Sequence, residues 1–223
     1  MTHALQDRLT RLSADPRAAR WGRIALGLLA GAAAAFVHPP FGVLPGLLGY
    51  PLLMLLAERS GRVRGAFWMG WLAGFAYFLV SCWWVAEAFL VNPAQAWMAP
   101  FAASLLPAGL AVFWGAATAL YRRFAPTGVL RVLVFAGLFC LLEWLRGHVL
   151  TGLPWNPAGA SWAAGSAGSQ FASVAGVYGL GLVTVGAFSA LGPLVAPGAR
   201  KGRIGMAVAG MVVILALNIF GAV

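Results

Sequence analysis

Ala66 to Leu90 reads AFWMGWLAGFAYFLVSCWWVAEAFL, and Glu87 is its one charged side chain. About 20 apolar residues suffice to cross a ~30 Å hydrocarbon core, so this run is long enough to span a bilayer. Arg59, Arg62 and Arg64 stop it on one side and Asn92-Pro93 on the other. Working outward, further apolar runs cover about 24–37 and 43–57 before it, and 96–121, 129–145, 171–195 and 204–222 after it. A basic arm, 1–23, precedes the first run, and the longest connection, 147–170, joins the fifth to the sixth. This pattern predicts an all-α fold: a polytopic transmembrane bundle of about seven helices over 24–223. The composition agrees, with 61% of the 223 residues hydrophobic and 9% charged, against about 25% charged in a soluble domain. Disorder requires low hydrophobicity and is excluded. Seven helices of roughly 20 residues leave about 80 positions for ends and connections, too few for a soluble catalytic domain.

A net charge of +10 would suit a nucleic-acid binder, but the basic residues do not form one continuous face. They fall in short clusters between apolar runs: Arg8, Arg11, Arg17, Arg20 and Arg23; Arg59, Arg62 and Arg64; Arg122, Arg123 and Arg131; Arg200, Lys201 and Arg203. These occupy alternate connections, and Arg146 alone falls on the other side. Such flanking charge is an orientation signal that places the N-terminus in the cytoplasm. Seven crossings then put the C-terminus outside, in the periplasm of a Gram-negative cell. The first run is the weak point, because about 14 helical residues reach only ~21 Å. With its basic leader it also mimics a secretory signal, although six further runs favour an uncleaved helix. Leu5, Leu9 and Leu12 recur at helical spacing among arginines, which fits either an amphipathic helix on the inner leaflet or a frayed basic arm. Gly27 with Gly31 and Gly70 with Gly74 have the small-xxx-small spacing of close helix contacts. Cys82 and Cys140 lie inside apolar runs without ligand spacing and read as small buried hydrophobes.

Polar groups at membrane depth are costly and therefore informative. Glu87 lies near the outer end of the third run; Glu143 precedes Arg146 by three residues, which places both on one helix face. Either the pair belongs to a functional site, or it is an ion pair that only positions the helix end. The segment that follows, Gly147-His148-Val149-Leu150-Thr151-Gly152-Leu153-Pro154-Trp155-Asn156-Pro157, cannot continue as helix, because Pro154 and Pro157 forbid it. The whole connection 147–170 is rich in Gly, Ala, Ser and Trp rather than charge, which fits a semi-buried periplasmic loop anchored by Trp155 and Trp162. Trp155 alone is equally readable as an interfacial belt residue. His148 and His38 read as structural, since no Ser, Cys or carboxylate stands at a catalytic spacing. No metal motif, phosphate loop or catalytic triad can be assembled, and no cofactor is implied.

Glu143-Trp144-Leu145-Arg146-Gly147 followed by Leu150-Thr151-Gly152-Leu153-Pro154-Trp155-Asn156 resembles a signature of bacterial apolipoprotein N-acyltransferases. Pro39-Pro40-Phe41-Gly42 resembles that family's first hairpin, and Gly70-Trp71-Leu72-Ala73-Gly74-Phe75-Ala76-Tyr77-Phe78 with Trp83-Trp84 resembles its third helix. Gly176-Val177-Tyr178-Gly179 resembles the start of its sixth, and Glu87-Ala88-Phe89-Leu90-Val91 is closest to alphaproteobacterial members. Leu153 departs from the family's usual Phe, and Pro157 and Ala160 stand where other side chains are usual. The resemblance implies an inner-membrane, multi-pass module of an acyltransferase of lipoprotein biosynthesis. That enzyme passes an acyl chain from a phospholipid, through a Cys thioester, to the amino group of a diacylglyceryl-cysteine lipoprotein. It further implies that the Cys, Glu and Lys of catalysis sit in a nitrilase-like domain that this sequence does not contain; its single lysine is Lys201. No catalytic residue is therefore expected in this chain. The expected lipid- and substrate-adjacent residues are Trp155, Arg146, Glu143, Asn156, Pro154, Gly152 and Glu87.

Three accounts of the short chain follow: a truncated acyltransferase, a split protein with a separately encoded nitrilase-like partner, or a non-enzymatic lipid-binding scaffold. A small transporter is the alternative from another class. It would require a polar midplane path and internal repeats, whereas the polar residues here gather toward the outer face.

Overall fold

A computed structural model describes residues 16–150, 152–196 and 199–222. Among them are seven α-helices and no strand: α1 (Pro16–Ala35), α2 (Gly49–Glu58), α3 (Val63–Ser81), α4 (Ala99–Phe124), α5 (Leu130–His148), α6 (Ala172–Ser189) and α7 (Arg200–Phe220). The chain is a helical membrane bundle. Most of the N-terminal arm, including Leu5, Leu9 and Leu12, lies outside the described residues.

Neighbouring helices alternate in direction. Gly46 and Gly49 meet Ala33 and Ala30, Gly70 and Gly74 meet Thr118 and Trp114, and Gly210 meets Ala187. Gly27 and Gly31 meet Met69 and Ala73, so α1 and α3 run parallel with α2 returning between them. The clusters at 59–64 and 122–131 consequently share one end, where Arg131 and the Tyr121 hydroxyl both donate to the Glu58 carboxylate and Arg122 Nε donates to Ser60 O at 2.6 Å. An aromatic spine fills the space between the two ends. Tyr77, Tyr50 and Phe139 surround Trp114 at 4.7, 5.6 and 5.1 Å between ring centroids, and Phe135 continues the stack to Tyr121.

Several segment boundaries differ from the sequence expectation. The first helix is 20 residues long because it begins at Pro16 and includes Arg17, Arg20 and Arg23. That gives it about 30 Å in all, but the added turns carry the three arginines, and the uninterrupted apolar part still begins at Ile24. The second pass combines a 3-10 turn, Leu44–Leu48, with the ten residues of α2. The third run is not one helix: α3 ends at Ser81, and Trp83–Phe89 form a 3-10 segment. The cause is local. Val85 N–H bonds Cys82 O, leaving Ser81 O to accept from Trp84 Nε1 at 3.2 Å and from Asn156 Nδ2 at 3.2 Å. In the fourth pass Pro100 sits in the first turn of α4, where its missing N–H costs nothing, while Pro107 lies buried inside the helix. The sixth pass breaks at Gly176, whose φ of 68° suits glycine. Four segments, Val63–Ser81, Pro93–Phe124, Ala172–Val195 and Arg200–Phe220, are each long and apolar enough to cross a membrane. Helix α5 differs because it carries Arg131, Glu143 and Arg146 within 19 residues.

The glycine spacing has a physical basis at three of its four positions. A Cβ on Gly31 would lie 1.8 Å from Ala73 O, one on Gly70 2.1 Å from Thr118 Oγ1, and one on Gly74 2.9 Å from Trp114 Cβ; one on Gly27 would make only ordinary contacts at 3.8 Å. The closeness at Gly70 lets Thr118 Oγ1 reach across to Ala66 O at 2.8 Å. Overpacking usually costs about 1–3 kcal/mol, and Gly70→Leu is expected at or above that range because its neighbours include backbone. Thermal unfolding in micelles should show a lowered midpoint for Gly70→Leu and none for Gly109→Leu, whose Cβ meets nothing within 4 Å.

Candidate functional site

The connection between α5 and α6 is folded into the bundle rather than laid over it. Helix α5 ends at His148, whose Nδ1 bonds Trp144 O at 2.7 Å and whose ring stacks on Trp144. The chain then turns at Gly152, with φ of 74° and a position where a Cβ would meet Gly147 O at 2.2 Å. Leu153 N–H bonds back to Arg146 O at 3.0 Å. Pro154 and Pro157 keep the next residues extended, and Asn156 takes a left-handed φ of 50°, which Asn tolerates better than most residues. A short 3-10 turn, Ala158–Ser161, follows, packed so closely on α6 that a Cβ on Gly159 would lie 2.0 Å from Val177 O.

Polar groups at this depth must find partners inside the protein, and three helices supply them. From α5, the Arg146 guanidinium is 2% exposed and donates from one nitrogen to Leu153 O at 2.6 Å and Trp155 O at 2.9 Å. Its centre lies 5.0 Å from the centroid of the Phe78 ring, within cation–π reach. Glu143, also buried, accepts the Ala158 N–H with both carboxylate oxygens at 3.2 and 3.1 Å, capping the 3-10 turn. The two side chains therefore do not form the expected ion pair. Each is turned to a different part of the loop, and among the described residues the ion pair within 4 Å is Arg131–Glu58 at the opposite end. From α3, the Tyr77 hydroxyl donates to Asn156 O at 2.6 Å. From α6, Thr184 Oγ1 accepts Trp162 Nε1–H at 2.8 Å.

Tyr77 and His38 are the members that sequence reasoning missed or set aside. His38 Nε2 lies 2.6 Å from the Tyr77 hydroxyl. Because that hydroxyl gives its proton to Asn156 O, the imidazole Nε2–H is the donor. Burial lowers the His38 pKa to about 4, so the ring is neutral at physiological pH. The signal for Tyr77 was present as a tyrosine inside the apolar run 66–80 of α3.

The product of this network is an aromatic pair at the surface. Trp155 stacks on Trp84 with centroids 4.4 Å apart and planes 29° apart, and both rings remain about 41% exposed. Ser81 O ties the two sides together by accepting from Trp84 and Asn156 alike. Trp83, Leu90, Val91, Trp97 and Phe101 extend the exposed apolar surface nearby in sequence. Arg146, Glu143, Asn156 and Gly152 thus converge on the backbone that carries Trp155, and Pro154 shapes it. Glu87 does not join them: it is exposed on the 3-10 segment. Among the described residues, no group of three His, Cys, Asp or Glu side chains is placed to hold a metal ion. The arrangement can present a flat aromatic edge to a lipid or protein surface.

A neutral buried hydrogen bond is worth about 1 kcal/mol, and an orphaned partner costs about 1–3. Tyr77→Phe keeps the ring packing but orphans Asn156 O and His38. Amide hydrogen exchange across 156–160 is expected to rise about fivefold or more, while α3 and α4 stay protected. Unchanged exchange in that segment would show that Tyr77 does not hold the loop.

A family model described as the apolipoprotein N-acyltransferase N-terminal domain matches residues 30–191. The apolipoprotein N-acyltransferase of Caulobacter vibrioides is 52% identical over 205 residues, covering 90% of this chain and 38% of that protein. Those of Rhizobium leguminosarum bv. trifolii and Allorhizobium ampelinum are 41% and 36% identical, covering 85% and 86% of this chain. The chain spans about 38% of the length of these relatives. The match runs from the end of α1 through α6 and includes the whole α5–α6 loop, and the chain belongs to the apolipoprotein N-acyltransferase N-terminal domain family.

Proposed function

We propose that this chain is the membrane module of an apolipoprotein N-acyltransferase, a multi-pass protein of the bacterial inner membrane. The observation that carries this reading is the exposed Trp84–Trp155 stack, held at the end opposite the arginine clusters by a buried network of Arg146, Glu143, Tyr77 and Asn156. Positive flanking charge puts the arginine-rich end in the cytoplasm, so the tryptophans face the periplasm at headgroup depth, where such rings are favoured. Their partners are a phospholipid acyl donor and a diacylglyceryl lipoprotein acceptor. Acyl transfer through a thioester needs an activated Cys thiolate and a base. Cys82 and Cys140 do not supply it: Cys82 is buried, and the Cys140 thiol points at Tyr178 O at 3.4 Å. The family resemblance implies that the chemistry is supplied by a nitrilase-like domain above the tryptophan edge, on the same polypeptide or encoded separately. Glu87, exposed on the segment beside Trp84, borders the same surface.

Orientation is checked by reporter fusions: alkaline phosphatase joined after Gly165 is expected to be active, and after Gly61 inactive. The reverse pattern would invert the module. Function is checked by joining residues 1–223 to the remainder of the Caulobacter vibrioides relative and assaying acylation of a diacylglyceryl peptide. Trp155→Ala in that fusion is expected to lower the rate at least tenfold, ~1.4 kcal/mol of transition-state stabilisation, with membrane insertion unchanged. Normal rates would reduce Trp155 to an interfacial anchor. The 223-residue chain assayed by itself is expected to be inactive, and robust turnover would place the chemistry within it.

A further inference from the structure

Helices α5 and α7 both pack on α6 but leave a groove of about 810 Å³ between them. Its walls include Leu133 and Gly137 of α5, Gly186 and Ala187 of α6, and Gly205 and Val213 of α7, and every lining side chain is apolar or absent. The lining runs from Val129, the residue before α5, to Gly137 and from Gly202 to Val213 on α7. At 1.5 Å per residue those stretches measure about 12 and 17 Å. Half of a ~30 Å hydrocarbon core is about 15 Å, so the groove spans one leaflet and stops near the midplane. Its lining reaches the arginine-rich end at Val129 and Gly202, and Arg200 and Lys201 stand exposed in the first turn of α7, directly before Gly202. Arg203 is committed elsewhere, donating to Ala196 O at 2.6 Å. That turn holds no acidic residue and no side-chain cap, so its backbone dipole adds to the positive field.

We propose that this groove holds one acyl chain of an anionic phospholipid of the adjoining leaflet, with the headgroup phosphates against Arg200 and Lys201. Length and charge both select this occupant. A transmembrane helix would need a seam along the full bilayer, and an uncharged ligand would gain nothing from the two cations. The site is remote from the Trp84–Trp155 edge and stands independently of the acyl-transfer reading. A lipid here fills the space between α5 and α7 and joins the last helix to the helix that carries Arg146.

The test is native mass spectrometry of the full chain released from micelles containing equal amounts of dioleoyl phosphatidylglycerol and dioleoyl phosphatidylethanolamine. One phosphatidylglycerol should be retained per chain, preferred about fivefold, the scale of one basic contact at an anionic surface. Gly137→Phe with Gly205→Phe fills the groove at positions where a Cβ meets nothing within 4 Å, and is expected to lose the lipid while circular dichroism is unchanged. Arg200→Gln with Lys201→Gln alters exposed positions only, and is expected to abolish the preference between the two lipids. The proposal is overturned if the wild-type chain retains no lipid, if the phenylalanine variant retains as much, or if the preference survives loss of both cations. A wild-type dimer that the phenylalanine variant dissolves would assign the groove to a second copy of the chain instead.

Discussion

The outer half of the molecule depends on one constraint: a backbone that leaves helical geometry at membrane depth must still satisfy its carbonyls. The α5–α6 loop does so by turning them toward Arg146, which serves Leu153 and Trp155 from a single nitrogen. A guanidinium suits this role because it stays charged and presents donors in a fixed plane. The two carbonyl dipoles, the Phe78 ring face and the nearby Glu143 carboxylate offset part of its cost of burial, while Nε and Nη2 have no hydrogen-bond partner among the described residues. The loop is consequently a fixed part of the bundle, and the side chain of Trp155 is aimed by backbone contacts rather than by its own packing alone.

This arrangement separates structure from display. Residues that are buried, Arg146, Glu143 and Tyr77, touch backbone; residues that are exposed, Trp84 and Trp155, touch each other. The same division explains why α3 stops at Ser81. Its last carbonyl bonds two side chains in place of the helix amide that would have continued it, and the chain beyond turns its tryptophans outward. A helix end, a loop and an aromatic pair therefore share one hydrogen-bonding node.

Much of this was legible in the sequence, and the exceptions have physical causes. The helices and their alternation follow from apolar length and from where arginines fall, because a bilayer imposes both. That Glu143, Arg146 and the Gly152–Asn156 segment deserve notice was visible from charge and proline placed where lipid disfavours them, and the structure brings them together. Pairing was not visible: i, i+3 spacing made Glu143 and Arg146 natural partners, but the loop supplied better ones. The end of α3 could not be read from Ser81-Cys82-Trp83-Trp84, since the competing donor, Asn156, lies 75 residues away. Tyr77 and His38 were likewise hidden, because their roles rest on contacts 79 and 39 residues distant.

The opposite end carries a different lesson, about time rather than shape. Glu58 closes α2 with its carboxylate bonded to Tyr121 and Arg131, which follow it in the chain by 63 and 73 residues. A ribosome delivers α2 to the bilayer long before either partner exists. Glu58 must therefore wait at the headgroup boundary through the synthesis of two further helices. Closure of the arginine-rich end is thus a late step of biogenesis, completed when α5 enters, and it is the same helix whose entry brings Arg146 to the other surface.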